Sequence, residues 1–315
     1  MENDLLVIRH RLLGAIRAFF SGQGYIEVET QALMRSAPPD PYIDPVSVYI
    51  GKKGPYYLHT SPEMHMKKFL RFGHERTFQI CKVYRTEETE EIHSTEFTML
   101  EWYRKGIYTE AMEEVESLVR FVSKRCGDIN GGPFEEPFVV YELEELVAGI
   151  VGLNPFLLNR NDLFQAMKSI GFRGIDGKDT WNDLFFKLFI QEVEPRIKAE
   201  SPYFIKDWPL SISTMAKKKA SNKVERFELY MNKMEIANGY TELLDPEEQR
   251  SRFIVDNAER KRLGKVTFGV DEDFLEALSK IKGPYAGASV GVDRLLMALL
   301  EKEKIDDVII DRFRA

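Results

Sequence analysis

Phe78-Gln79-Ile80-Cys81-Lys82-Val83-Tyr84-Arg85-Thr86-Glu87-Glu88, answered by Glu96-Phe97-Thr98-Met99-Leu100-Glu101-Trp102-Tyr103, decides how this chain is read. β-branched and aromatic residues fill both runs, so each reads as a strand. The first ends in Arg85 and Glu87. A polar loop with His93 follows, and the return strand carries Phe97 and Glu101. An arginine at a strand end, an aromatic face and several carboxylates suit a site that grips a carboxylate, a phosphate and a purine together. Far along the chain, Gly287-Ala288-Ser289-Val290-Gly291-Val292-Asp293-Arg294 reads as a small-residue turn delivering a second arginine.

Working outward, Leu5, Ile8, Leu12, Ile16 and Phe20 recur at helical spacing, which predicts an amphipathic helix over about residues 4–22. Tyr25 to Thr30 alternates like a half-buried strand. Four prolines make residues 37–45 an irregular loop. Val46 to Ile50 is a strand, and Gly51 to Pro55 its hairpin turn. Pro62 to Phe72 is a helix with Ser61 as its N-cap. A helix with Met112, Val115, Leu118 and Val119 on one side ends near Gly127. Residues 127–203 change character, with glycine breaks between helical stretches; they read as a helical insertion within a single domain spanning 1–315. Phe227 to Tyr230 and Met234 to Tyr240 are strands, Pro246 to Gly264 a charged helix, and Gly291 onward a helix with Leu295, Leu296, Leu299 and Leu300 on its apolar face. Strands joined by hairpins, with helices gathered beside them, give an α+β class with an antiparallel sheet flanked by helices.

Composition excludes several roles. A formal charge of −7 argues against a general nucleic-acid trap. Two cysteines, Cys81 and Cys126, are too few for a disulfide framework. The polar N-terminus and the lack of a long apolar run predict a cytoplasmic protein without a membrane span. No Walker A loop, dinucleotide glycine fingerprint or nucleophile elbow is present.

The candidate chemical groups each have a bland alternative. Arg85 is either a surface partner of Glu87 or a bidentate clamp on a carboxylate or α-phosphate. Arg294 is either solvated or a ligand contact, next to Gly287 and Gly291, where backbone can approach closely. Glu228 and Glu235 are either strand-surface acids or a pair that holds Mg²⁺ beside phosphate oxygens. Phe97 is a core ring or a purine plate, and His93 a solvated loop residue or a phosphate contact. Glu63, Glu101, Tyr103, Asn238, Tyr240 and Glu242 either lie on exposed strand edges or line an electronegative pocket whose guest is an amino acid with an extra ammonium.

At these residues the chain resembles a class II aminoacyl-tRNA synthetase of the lysyl branch, over nearly its whole length. The first helix with Tyr25-Ile26-Glu27-Val28-Glu29-Thr30 resembles motif 1. Arg85-Thr86-Glu87 through Tyr103 resembles motif 2, and Gly291-Val292-Asp293-Arg294 motif 3. Thr60-Ser61-Pro62-Glu63 and Glu235 to Glu242 resemble the lysine-binding segments. The helical pattern is already running at Leu5, so no anticodon-binding domain is expected ahead of it. The chain is therefore most similar to the free-standing elongation factor P–(R)-β-lysine ligase family.

That resemblance implies ATP-dependent activation of lysine or β-lysine as an adenylate, then transfer to a lysine side chain of elongation factor P. It implies ATP and Mg²⁺ as cofactors, a homodimer, and no role for tRNA. Arg85 and Arg294 would be catalytic. Arg85, Glu87, His93, Ser94, Phe97, Glu235, Ile236, Gly291 and Arg294 would bind ATP. Ser61, Glu63, Glu101, Tyr103, Asn238, Tyr240 and Glu242 would bind the amino acid, and Glu228 and Glu235 the metal. Three positions depart from the synthetase pattern. Gln31 replaces the motif 1 proline, Ser94-Thr95 an Asn-Pro, and Ser289 the middle glycine of motif 3; the last favours the ligase. Two other readings are a trimmed synthetase that charges tRNA and a non-catalytic adenylate or amino-acid sensor.

Overall fold

A computed structural model describes residues 2–86, 91–126, 136–198, 201–213, 215–220 and 222–313. Its elements run α1 (Glu2–Gly22), β1 (Ile26–Glu27), β2 (Leu33–Met34), β3 (Ser47–Ile50), β4 (Lys53–Leu58), α2 (Glu63–Leu70), β5 (Arg76–Tyr84), β6 (Glu96–Lys105), α3 (Tyr108–Cys126), β7 (Val139–Glu142), α4 (Leu143–Val151), α5 (Arg160–Ser169), α6 (Trp181–Leu188), β8 (Tyr203–Lys206), β9 (Arg226–Met231), β10 (Met234–Thr241), α7 (Pro246–Arg262), α8 (Glu272–Ser279), β11 (Tyr285–Gly291) and α9 (Val292–Leu299). Among the described residues no helix is long and apolar enough to cross a membrane.

Eight strands form one sheet in the order β1-β5-β6-β11-β10-β9-β8-β7, and β2-β4-β3 form a small second sheet. The α+β class stands. The large sheet is mixed rather than antiparallel throughout, because β1 pairs parallel with β5 and β7 parallel with β8. Each parallel strand enters at an edge, where a crossover rather than a hairpin delivers it.

Alternation gives the sheet two different faces. Leu100 and Trp102 of β6, Phe227 and Leu229 of β9, and Ala286, Ala288 and Val290 of β11 are buried on one of them. There they join Leu12, Ile16 and Phe20 of α1, Val115, Leu118 and Val119 of α3, and Leu295 and Leu296 of α9 in one core. Phe20 stacks on Phe78 with ring centroids 4.9 Å apart. The opposite face holds the polar side chains described below.

Three local expectations need correction. The strand expected over Tyr25 to Thr30 is only Ile26–Glu27; the pairing ends with Val28, whose N–H donates to Phe78 O at 2.8 Å. Helix α2 has Pro62, not Ser61, at its N-cap, although Ser61 Oγ still accepts from the Glu63 N–H at 3.0 Å. The small-residue run from Gly287 is not a turn but most of strand β11, in the middle of the sheet. Its small residues are demanded by packing: a Cβ on Gly287 would lie 2.5 Å from both Glu242 Oε1 and the Tyr103 ring.

The helices between β7 and β8 have their own core, built from Leu163, Leu184, Phe185, Leu188 and neighbours against Ile205 and Trp208. Thr180 and Asp183 cap α6 reciprocally. The proline-rich loop is held from α7. Buried Arg260 donates to the carbonyls of Asp40 (2.6 Å) and Ile43 (3.1 Å), pairs with Asp44, and stacks 4.5 Å from the Phe268 ring centroid.

Candidate functional site

Strand register brings the polar side chains into rows. Glu101 of β6 is opposite Ser289 of β11, Ser289 is opposite Asn238 of β10, and Asn238 is opposite Glu228 of β9. Tyr103, Gly287, Tyr240 and Arg226 make the next row in the same way. Directly opposed residues share a face, so four strands contribute to one floor. Glu235 would miss that floor in a regular ladder. A bulge between Glu235 and Ala237 sets Glu235 against Tyr230, and so turns it onto the same face as Glu228.

Above the floor is a cavity of about 1100 Å³. Its lining includes Ser61, Glu63, Arg85, His93, Ser94, Phe97, Glu101, Tyr103, Glu228, Glu235, Ile236, Asn238, Tyr240, Glu242, Gly291 and Arg294. Every expected site residue is thus brought together except Glu87, which lies outside the described residues. Asp40 and Tyr42 of the proline-rich loop, and Asp183, Phe186 and Lys187 around α6, also reach it.

One part of the cavity is cationic. Arg85 stands just beyond β5, its N–H bonded to Thr95 O at 2.9 Å and its Nε to Thr60 O at 3.3 Å. Its guanidinium lies over the Phe97 ring, 5.2 Å from the centroid. Arg294, on the first turn of α9, donates to the carbonyls of Ile92 (3.3 Å) and Glu235 (3.2 Å). His93 lines the same part and is pushed down to about 4 by burial and by the charges of Arg294, Arg85 and Arg312. It is therefore neutral at physiological pH. Arg312 also fixes the loop by donating to His93 O at 2.6 Å. Ser94 Oγ is buried with no hydrogen-bond partner among the described residues.

A second part is acidic. Glu101 accepts hydroxyls from Ser61 (2.8 Å) and Tyr103 (2.6 Å). Tyr240 OH donates to Glu63. Burial, with Glu63 adding to it, pushes Glu101 up to about 7. Burial also pushes Glu242 up to about 8, although the neighbouring Lys67 pulls the other way. Its Oε2 forms an ion pair with Lys67 Nζ at 2.5 Å, and neither carboxylate oxygen has a well-aligned hydrogen-bond donor among the described residues.

Glu228 and Glu235 form the third group. Arg226 pairs with Glu228 at 2.5 Å and Tyr230 OH donates to it at 2.7 Å. Burial and then the charge of Glu235 push Glu228 up to about 8. A divalent cation between the two carboxylates would offset both effects, so the pair fits Mg²⁺ shared with phosphate oxygens. Among the described residues no group of three or more protein ligands forms a closed metal cage.

Sequence reasoning missed Lys67, Arg226 and Arg312. The signal for Lys67 was its place beside Met66 and Leu70 on the buried stripe of α2, four residues after Glu63. Arg226 could be found as the alternate residue before Glu228 on one strand face. Arg312 lies in irregular chain near the C-terminus and carries no pattern.

Glu101→Gln tests the burial of this acid. A carboxyl raised in the folded state adds stability below its unfolded value near 4.5, and that contribution is lost as pH climbs to about 7. The amide does not titrate. The variant is therefore expected to gain stability over the parent through that window, by on the order of 3 kcal/mol at pH 8. Chemical denaturation at pH 5 and pH 8 reads the difference; equal differences at both would contradict the assigned environment.

The chain matches the family described as tRNA synthetases class II (D, K and N) over residues 2–310. It is 36% identical over 312 residues to the elongation factor P–(R)-β-lysine ligase of Haemophilus influenzae (strain PittGG), covering 96% of this chain and 93% of that protein. Proteins of the same name are 34% identical in Pectobacterium atrosepticum, over 96% and 93% of the two chains, and in Vibrio cholerae, over 95% and 92%.

Proposed function

This chain belongs to the class II tRNA synthetases (D, K and N), and from that premise we propose that it is an ATP-dependent ligase. It activates lysine or β-lysine as an aminoacyl-adenylate and passes the acyl group to a lysine side chain of elongation factor P. The observation that carries this reading is that one cavity is lined both by arginines with a neutral histidine and by a cluster of buried acids. The relatives named above bear the corresponding name over almost their full length.

In the first step an oxygen of the substrate carboxylate attacks the α-phosphorus of ATP, and the bond to pyrophosphate breaks. Two anions must be held together while charge develops. Arg85 spans the carboxylate and the α-phosphate, Arg294 contacts the γ-phosphate end, and Phe97 stacks the adenine. Glu87, His93, Ser94, Ile236 and Gly291 complete the ATP site. Glu228 and Glu235 would hold Mg²⁺, which neutralises phosphate charge when bound. Glu63 takes the amine nearer the carboxylate, with Ser61, Glu101, Asn238 and Tyr240 around it, while Tyr103 and Glu242 take the distal ammonium. In the second step an amine nitrogen attacks the acyl carbon, loses its proton, and AMP leaves. No protein nucleophile is needed.

The whole chain is read as one catalytic domain, with residues 127–203 inserted into it; their helices, with a core of their own, support this. A cytoplasmic homodimer built on the motif 1 helix belongs to the same proposal. ATP–pyrophosphate exchange with a panel of diamino acids, then transfer of labelled acyl group to purified elongation factor P, tests it. Labelling of total tRNA instead would favour a trimmed synthetase.

Gly287→Ala gives a sharper check of the amine pocket. The added methyl meets Glu242 and Tyr103 at 2.5 Å, and overpacking of that kind costs about 1–3 kcal/mol. KM for the diamino acid is expected to rise roughly 10- to 100-fold with KM for ATP unchanged. Equal effects on both would show that position 287 matters only for the sheet.

A further inference from the structure

Three carboxylates face the acidic part of the cavity, Glu63, Glu101 and Glu242, and one ammonium of the protein is already among them. Lys67 is 1% exposed. Its Nζ contacts Glu63 Oε1, lies 2.5 Å from Glu242 Oε2 and 3.5 Å from Met215 Sδ, and stands 5.1 Å from the Tyr240 ring centroid. It bridges two carboxylates and is walled off from water by a thioether and a phenol. Burying an ammonium costs several kcal/mol before pairing, and a methionine would fill the same space on α2 without that cost. Beyond the ion pair with Lys67, neither oxygen of Glu242 has a well-aligned hydrogen-bond donor among the described residues, although Glu242 is only 2% exposed.

We infer that Lys67 is a specificity-determining residue, a built-in cation shared between Glu63 and Glu242 that cancels one of the three acidic charges and leaves a net two, matching the two amines of a diamino acid. This rests on the reading of the site given above. A filled pocket then holds three carboxylates, Lys67 and two substrate ammoniums, and its charges cancel. A guest with one amine leaves a buried carboxylate without a counter-charge, and a guest with three leaves a buried cation without one; both situations are costly.

The charged or titratable groups around Glu242 are Glu63 and Lys67 from α2, Glu101 and Tyr103 from β6, and Tyr240 from β10. Lys67 lowers the Glu242 carboxyl and the acids raise it, on top of burial. Without Lys67 the carboxyl rises further, so the ionised Glu242 that a distal ammonium needs appears only at higher pH.

The test is lysine-dependent ATP–pyrophosphate exchange from about pH 6 to about pH 9.5 in the parent, Lys67→Met and Lys67→Arg. The pH at which KM for lysine falls is expected to move up by about one unit or more in Lys67→Met. In Lys67→Arg it stays near the parent, and KM for ATP holds in all three. A Lys67→Met profile that overlays the parent, or a loss confined to kcat, overturns the inference. Should Lys67→Met not fold, calorimetry of lysine binding to the parent in buffers of different ionisation enthalpy decides. Charge matching requires release of about one proton near pH 7, turning to net uptake near pH 9.5, where the free amino acid has lost its own α-ammonium proton; no release near pH 7 overturns it. A parent enzyme that activates no diamino acid defeats the proposed function itself, which these outcomes do not.

Discussion

Replacing Arg85 with alanine is expected to lower amino-acid-dependent ATP–pyrophosphate exchange by on the order of 10³-fold, with no change in melting temperature. The side chain is only partly buried and its Nε bonds a backbone carbonyl at 3.3 Å, so its removal opens no cavity in the core. It does remove the fork that spans the two reacting anions. Its position over Phe97 fixes the direction of that fork. Arg85→Lys should recover only a small part of the rate, since an ammonium cannot make two parallel bonds. Exchange at the parental rate in Arg85→Ala would remove this arginine from the reaction.

The second large effect belongs to Glu242. Glu242→Gln keeps the volume and loses the charge. KM for lysine is expected to rise about 10²- to 10³-fold, since recognition built on a buried polar partner is lost when that partner no longer matches. KM for ATP should be unchanged, because the nucleotide contacts belong to the other part of the cavity. Parallel losses for both substrates would make Glu242 a structural residue that holds Lys67 rather than a ligand of the guest.

Much of this arrangement is legible in the sequence, and particular residues show why. The paired runs around Arg85 and Glu101 alternate cleanly, so strand, loop and return strand could be read directly. Helices such as α3 and α9 declare themselves through the period of their apolar residues. The run from Gly287 to Gly291 could not be read locally, since glycine and alanine disfavour strands. It is a strand because tall neighbours on both sides leave no room for larger side chains. Glu235 was harder still, because its direction depends on a bulge that has no signature of its own. Lys67 was passed over because a lysine on a helix is ordinarily solvated; only packing reveals that this one is not. The parallel pairing of β1 and β7 is a property of crossovers, which strand patterns do not encode.

The sheet order has one more consequence. Neither of its outermost strands, β1 and β7, supplies a side chain to the proposed site, whose residues on strands come from β6, β11, β10 and β9 in its interior. Backbone amides at the margins can open and exchange with solvent while the central ladder stays closed. The reaction floor is therefore insulated from fraying, and local breathing of the margins need not interrupt turnover.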